Sequence, residues 1–460
     1  VIDDAISSAD AAISSLDGLC ADLLAERAGR AGDPVAAELA EIRARVTEPL
    51  RVAVGGRLKA GKSTLVNALI GERIAQTDVG ECTRVVTWFR FGDAERIDIE
   101  RADGSSVERP LTDRRLPASL DVPIADVARL TVRARIPTLR GMTIIDTPGL
   151  ETLTEAAAAN TRSFLGIDEE SALATTQADA LIYVMPHPRE TDALTLEAFR
   201  SAFPSGSRTA LNTVALLSRI DTLSDDDDPW PAARRQAARA AERLGAMVST
   251  VLPLVGLLAE TVATGRLSEA DAVNVGKLAS LDPAARTRAL IGVDQLRGLE
   301  PCPVSPEDRE RLLERLGMYG LRQAVALVGA GARSASELSD GLRERSGLDA
   351  LHKVLAEMIT TRADIFKLDA ATTSLSRLAL AQRDALGADA TARILAVVEQ
   401  IRLDPAMHQL AELDLLRELA AGTLVVPDDV ASELRTLLGP GSAATRLGVD
   451  DAAPPDEIVA

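Results

Sequence analysis

A chain of 460 residues with 69 acidic against 51 basic side chains, net −18, offers no electrostatic grip for nucleic-acid phosphates and none for simple charge-driven adhesion to anionic lipid. It is too long for one ordinary core, and with 46% apolar but only 2% aromatic residues it favours long helices over aromatic-rich sandwiches. Cys20, Cys82 and Cys302 have neither disulfide nor zinc spacing, His187, His352 and His408 are equally scattered, and no run of about 18 apolar residues occurs, so we expect a reducing cytosolic setting, no spanning helix and no metal site built from these residues.

The acidic start "VIDDAISSAD" has no apolar core of signal-peptide length, and no export signal is expected there. Ile2, Ile6, Ile13, Leu16, Cys20 and Leu23 recur at helical spacing. "GRAGDP" breaks the pattern, and Val35, Leu39, Ile42 and Val46 resume it. Residues 1–48 therefore read as amphipathic helix.

From "LRVAVGG" the texture changes to short β-branched runs alternating with helix: "RVVTWFRFG", "RIDIERADG", "VARLTVRARI", "GMTIIDTPG", "DALIYVMPH", "TVALLSRID" and "VSTVLPLVG". This predicts an α/β domain over 49–262 with a mostly parallel sheet flanked by helices.

Inside it, "GRLKAGKST" matches the phosphate-binding pattern GxxxxGK[ST] between a strand and a helix, the context that motif requires. Gly56 to Thr64, with Lys59, Ala60, Gly61, Lys62, Ser63 and Thr64, are the candidate nucleotide contacts. Backbone N–H groups and the helix N-terminus attract phosphate, Gly61 allows close approach, Lys62 reaches the outer phosphates, and the Ser63 hydroxyl is a magnesium ligand. Next, "ECTRVVTWF" places Thr83 to complete the magnesium shell when the terminal phosphate is present. In "TIIDTPG" a buried strand delivers Asp146 toward the metal, and Gly149 offers a backbone N–H to the terminal phosphate.

"ALLSRID" ends on Asp221, an acceptor for the ring N–H and exocyclic amine of guanine, a donor pair that adenine lacks. Ser218-Arg219-Ile220-Asp221 replaces the usual Asn/Thr-Lys-x-Asp, and Arg219 can lay its planar guanidinium over the base. The phosphate loop alone does not see the base, so an ATPase is the outside alternative. "VLPLVGLLAE" brings a backbone N–H near Val255 or Gly256 to the base, or is simply a buried strand end.

After "GRLSEADAVN" the strand signal stops, and 263–460 reads as helix. Leu312, Leu313 and Leu316 begin a helical pattern; Leu338 and Leu342 continue it; Leu348, Leu351, Val354, Leu355 and Met358 form another, and Ile394, Val397 and Ile401 a third. "ERSGLD", "ALGADA" and "RLDPAM" mark breaks. These helices suit an ordinary all-α domain or, given helices on both flanks of the α/β domain, a bundle projecting from it.

Taken together, "GGRLKAGKSTLVNALIG", "CTRVVTWF", "IIDTPG" and "SRID" resemble the bacterial dynamin-like GTPases, and "LLERLGMYGLRQAVALVGAG", "ERSGLDAL" and "GSAATRLGVD" extend the likeness beyond the GTPase core to actinobacterial members. The resemblance implies a GTPase head on an elongated helical neck and trunk, GTP/GDP and Mg2+ as ligands, self-association through the heads, a paralogous dynamin-like partner, and membrane remodelling with membrane lipid as a further contact. A regulatory GTPase switch, or an assembly partner that does not itself remodel membranes, is the alternative. Leu150 stands where Ras-like enzymes place a water-orienting glutamine. The family compensates from the phosphate loop, where Lys59 is the matching residue. Lys59 is thus expected either to neutralise charge on the outer phosphates or to be a solvated surface lysine. Lys59, Lys62 and Thr83 form the catalytic set, and Ser63, Thr83 and Asp146 the metal set. The small-residue run "AVALVGAGA" reads as helix packing rather than membrane insertion, and the acidic loop beginning at Asp225 as solvated.

Overall fold

The computed structural model describes residues 2–30, 32–57, 59–75, 85–117, 119–147, 177–202, 212–223, 228–421 and 424–438. Thr83, Gly149 and Leu150 lie outside them, as do most of the acidic loop beginning at Asp225 and the C-terminal "GSAATRLGVD".

In chain order the strands are β1 (Leu50–Gly56), β2 (Thr87–Phe91), β3 (Arg96–Arg101), β4 (Ser106–Pro110), β5 (Val127–Ala134), β6 (Met142–Asp146), β7 (Ala180–Met185), β8 (Thr213–Leu217) and β9 (Thr250–Pro253). They form one nine-stranded sheet in the order β4-β3-β5-β2-β6-β1-β7-β8-β9. β6, β1, β7, β8 and β9 run parallel, as β2 and β5 do. β2 is antiparallel to β6, and β3 to both β4 and β5. The sheet is mostly parallel, as expected, with an antiparallel flank. β4 escaped the sequence reading because it is an exposed edge strand, "SVERP", whose polar side chains carry no apolar alternation.

The helices are α1 (Ile2–Glu26), α2 (Pro34–Thr47), α3 (Lys62–Ile70), α4 (Glu190–Ala202), α5 (Trp230–Leu244), α6 (Gly256–Ala263), α7 (Glu269–Ala279), α8 (Pro283–Ile291), α9 (Val293–Arg297), α10 (Pro306–Gly329), α11 (Ala335–Glu344), α12 (Leu348–Ala381), α13 (Arg383–Leu386), α14 (Ala388–Arg402), α15 (Pro405–Ala421) and α16 (Asp428–Leu438). Their ends follow local chemistry. Asp33 caps α2 by accepting from the Val35 N–H, with Pro34 at the first helical position. Ser268 with Asp271, and Ser334 with Glu337, form reciprocal capping boxes at α7 and α11.

Alternation along the buried strands sends side chains to two separate cores. Val52, Val54, Ile144 and Ile182 face α3 and the first half of α12 through Leu65, Leu69, Leu348, Leu351 and Leu355. Ala53, Ile145, Leu181 and Tyr183 face the other way, into a cluster with Ala237 of α5, Val275 of α7, Leu312 and Leu316 of α10, and Leu338 and Leu342 of α11. A third core joins Leu16, Cys20 and Leu23 of α1, Leu39 and Val46 of α2, Leu368 and Leu375 of α12, and Ile394 and Val398 of α14. Hydrophobic packing thus divides the helices after residue 262 between two places. α7, α10 and α11 complete the body around the sheet, whereas α14 and the second half of α12 form a bundle with α1 and α2. The 34-residue α12 belongs to both. No described helix is long and apolar enough to cross a membrane.

Candidate nucleotide site

The phosphate-loop turn is shaped by how closely β1 approaches β7. Gly56 has φ 141°, and a β-carbon there would stand 2.2 Å from the Val184 carbonyl oxygen, so no side chain fits. Gly61, with φ 94° and, among the described residues, open space at its missing β-carbon, immediately precedes the N-terminus of α3.

Lys62, the first residue of α3, is buried, and its Nζ donates to the carbonyl oxygens of Gly56 at 3.2 Å and Arg57 at 3.0 Å. The next side chain, Ser63, donates its hydroxyl to Oδ2 of Asp146 at 3.1 Å. Asp146 ends β6, opposite Val54 in the β1 register, so two neighbouring parallel strands deliver the cradle and the acid to one place. Its second oxygen, Oδ1, is buried without a hydrogen-bond partner among the described residues. Burial, opposed in part by the Lys62 charge and the Ser63 hydrogen bond, pushes the carboxyl up to about 6. An orphaned carboxylate oxygen beside a hydroxyl is a hard-oxygen donor pair, which fits a magnesium ion shared with phosphate oxygens.

The segment after β8 is tied to the same turn. Ser218 donates its hydroxyl to the Ala60 carbonyl at 2.9 Å, and Arg219 donates from its guanidinium to the Lys59 carbonyl at 2.9 Å. Arg219, expected to lie over a base, is therefore engaged with the phosphate-loop backbone. Both Lys59, φ 60°, and Arg219, φ 56°, adopt the left-handed region that non-glycine residues seldom enter. The Lys59 side chain is exposed. Asp221 follows in a 3-10 turn spanning Ile220–Thr222; burial raises its carboxyl, while Arg219 and Arg322 act against that shift. "VLPLVG" also comes to this end: a β-carbon on Gly256 would lie 3.9 Å from the Thr64 methyl. The sheet thus gathers Lys59 to Thr64, Asp146, Arg219 and Asp221, and the assignments to Thr83 and Gly149 fall outside the described residues.

Sequence reasoning missed three residues here. Asn67 donates to the Ala75 carbonyl at 3.0 Å and to Glu260 at 2.8 Å, and accepts from the Ala75 N–H at 2.8 Å, which pins the chain that leads toward Thr83. An asparagine inside the aliphatic run "LVNALI" was the available signal. Arg322 of α10 approaches Asp221 from a helix more than a hundred residues away in sequence, and no local pattern marks it. Arg57 turns inward, donating to the His187 carbonyl at 2.6 Å and to Asp192 at 3.1 Å.

Residues 52–211 match the family described as "Dynamin family". The isoniazid-induced protein IniC of Mycobacterium tuberculosis is 35% identical over 424 residues, covering 90% of this chain and 83% of that protein. The isoniazid-induced protein IniA of the same organism is 34% identical over 125 residues, covering 24% of this chain and 19% of IniA. The bacterial dynamin-like protein of Nostoc punctiforme is 33% identical over 114 residues, 22% of this chain and 16% of that one. A strand-turn-helix phosphate cradle with its acid at the next strand, joined to a likeness that runs through both head and bundle, leads to one conclusion: the chain belongs to the bacterial dynamin-like family and is a GTPase.

Proposed function

We propose that the chain binds GTP with Mg2+ and couples its hydrolysis, completed when two heads associate, to movement of the helical bundle at or near a cytoplasmic membrane surface. The observation that carries the nucleotide part is the Ser63–Asp146 contact directly beside Lys62. Gly56, Ala60, Gly61 and Thr64 shape the cradle, Lys62 meets the outer phosphates, Asp221 reads guanine, and Arg219 holds the loop that Asp221 stands on. Ser63 and Asp146 would hold the magnesium, with Thr83 joining them and Gly149 donating to the terminal phosphate. When bound, the ion neutralises charge between the outer phosphates.

The protein's own part is to present donors fixed before the nucleotide arrives. Lys59 belongs to this group by position: its carbonyl is clamped by Arg219 while its side chain is exposed, where its ammonium would meet developing charge. Lys59→Ala is expected to leave GTP affinity unchanged and to lower turnover about tenfold or more; unchanged turnover removes Lys59 from the catalytic set.

For the assembly part, support comes from the two-core architecture. α12 leaves the sheet and enters the bundle as one continuous helix, which in this reading would carry a rotation of the head to the bundle. Self-association through heads, pairing with a paralogous dynamin-like protein and lipid contact are parts of the same reading. GTP hydrolysis measured against protein concentration tests it: turnover per molecule rising with concentration supports catalysis completed across a dimer, and strictly proportional activity contradicts it. Liposome co-sedimentation with GTP, alone and with the paralogue, separates remodelling from a switch or tether.

A further inference from the structure

We infer that Arg57, Asp192 and Tyr183 form a buried strut that positions the phosphate loop for GTP hydrolysis, acting through the backbone carbonyl on which the Lys62 ammonium rests. The inference rests on the nucleotide reading above and adds a group of residues outside the phosphate-binding pattern itself.

Arg57 occupies the first variable position of GxxxxGK[ST], next to Gly56. A side chain there has the choice of facing solvent, the cradle or the protein. Arg57 takes the third course: its guanidinium is about nine-tenths buried, reaching Asp192 at 3.1 Å and the His187 carbonyl at 2.6 Å. Asp192, in the first turn of α4, is 1% exposed and fully engaged. One oxygen accepts the Tyr183 hydroxyl at 2.8 Å, and the other accepts the Arg189 N–H at 2.7 Å as well as the Arg57 guanidinium. Tyr183 is itself wholly buried and lies opposite Gly55 in the β1–β7 register, with Gly56 opposite Val184.

The turn leaving β1 is therefore held against β7 in two ways at one level of the sheet. Gly56 packs backbone to backbone on Val184, and Arg57 reaches past it into the β7–α4 loop. The consequence for chemistry lies in the Arg57 carbonyl, which accepts from Lys62 Nζ at 3.0 Å. One residue thus has its side chain locked in a buried ion pair and its backbone oxygen locating the lysine that meets the outer phosphates. Donors preset in this way need no rearrangement when charge develops, and a loose loop forfeits that advantage.

A merely structural ion pair predicts something different: a lower melting temperature with normal turnover per folded molecule. Three variants separate the two. Arg57→Ala, assayed well below its melting temperature, is expected to lower kcat by about tenfold or more, as misplacement of a catalytic group does, with a smaller rise in KM. Arg57→Lys keeps a cation that can reach Asp192 and is expected to recover kcat to within about threefold of the wild type. Tyr183→Phe deletes a single hydroxyl, preserves the ring in the core, and is expected to lower kcat about threefold by loosening Asp192.

Wild-type kcat in Tyr183→Phe, or in a folded Arg57→Ala, overturns the strut. If Arg57→Ala does not fold, Tyr183→Phe decides alone. A wild-type protein that fails to hydrolyse GTP defeats the nucleotide reading instead, whereas an active wild type with unaffected variants defeats the strut only.

Discussion

The two ends of the parallel strands treat a buried aspartate in opposite ways. At the end where α2 meets the sheet, Asp179 is 0% exposed and every oxygen of its side chain is engaged: Arg45 donates to one at 2.7 Å and the Arg51 N–H to the other at 2.9 Å. Arg51, itself 1% exposed, continues the chain of partners to Glu41 at 2.5 Å and Glu48 at 3.2 Å, both on or beside α2, and stacks over the fully buried Trp88. At the other end, Asp146 keeps one buried oxygen without a partner among the described residues, and strain is held at the positive φ of Lys59 and Arg219. A saturated charge joins two parts of one molecule; an unsaturated one is kept ready for something that arrives.

The contrast is broken most severely at the saturated end. Asp179→Ala leaves the Arg45 guanidinium buried without its carboxylate, and is expected to cost about 3–5 kcal/mol of folding stability in denaturant titration, with the α2 contact loosened. Lys62→Ala is the counterpart at the open end. It should weaken GTP binding about a hundredfold, near 3 kcal/mol, while changing the melting temperature little, because its partners there are carbonyls that water can reach in the emptied turn. Retained tight, magnesium-dependent GTP binding in this variant would contradict the assignment of the phosphate loop.

The smallest effect sharpens the comparison by reversing its sign. The Asp146 carboxyl stands at about 6 in the folded chain against 3.8 ordinarily, so between those values the folded state holds more protons than the unfolded one. The ionised carboxylate therefore burdens the nucleotide-free protein: stability falls as pH rises from near 4 through 6 and stays reduced above it. Asp146→Asn should raise the stability of nucleotide-free protein at pH 7.5 by about 1 kcal/mol, with the gain shrinking below pH 6, as followed by thermal melts across that range. The same variant should lose magnesium-dependent binding. A gain independent of pH rejects the account.

Much of this was legible in the linear chain because its signals are local. Short β-branched runs alternating with helix placed eight strands of the sheet, and the glycines at 56 and 61 with Lys62 and Ser63 pointed to a phosphate turn whose neighbours in space are also neighbours in sequence. β4 was not legible, since an exposed polar edge strand has no apolar period. Nor was the division of the C-terminal helices between two cores. α10 and α12 present similar leucine spacings, and nothing along the chain states that Leu316 packs under the sheet while Leu375 packs against α1 and α2. Arg57 illustrates the same limit within the motif: its neighbours marked it only as a variable position, and its partner Asp192 lies 135 residues away.

By itself the sequence determined the succession of helices and strands apart from β4, the residue types proposed to meet a triphosphate, and the family. Those depend on spacing along the backbone and on periods of two or 3.6 residues, which are properties of the chain before it folds. Tertiary structure alone decided which polar groups were left short of partners and which were saturated, because burial of a charge is set by whatever distant segment packs over it. Asp146 and Asp179 are the same residue type at opposite strand ends, and only the surrounding packing left one with an oxygen unpartnered among the described residues and made the other a joint.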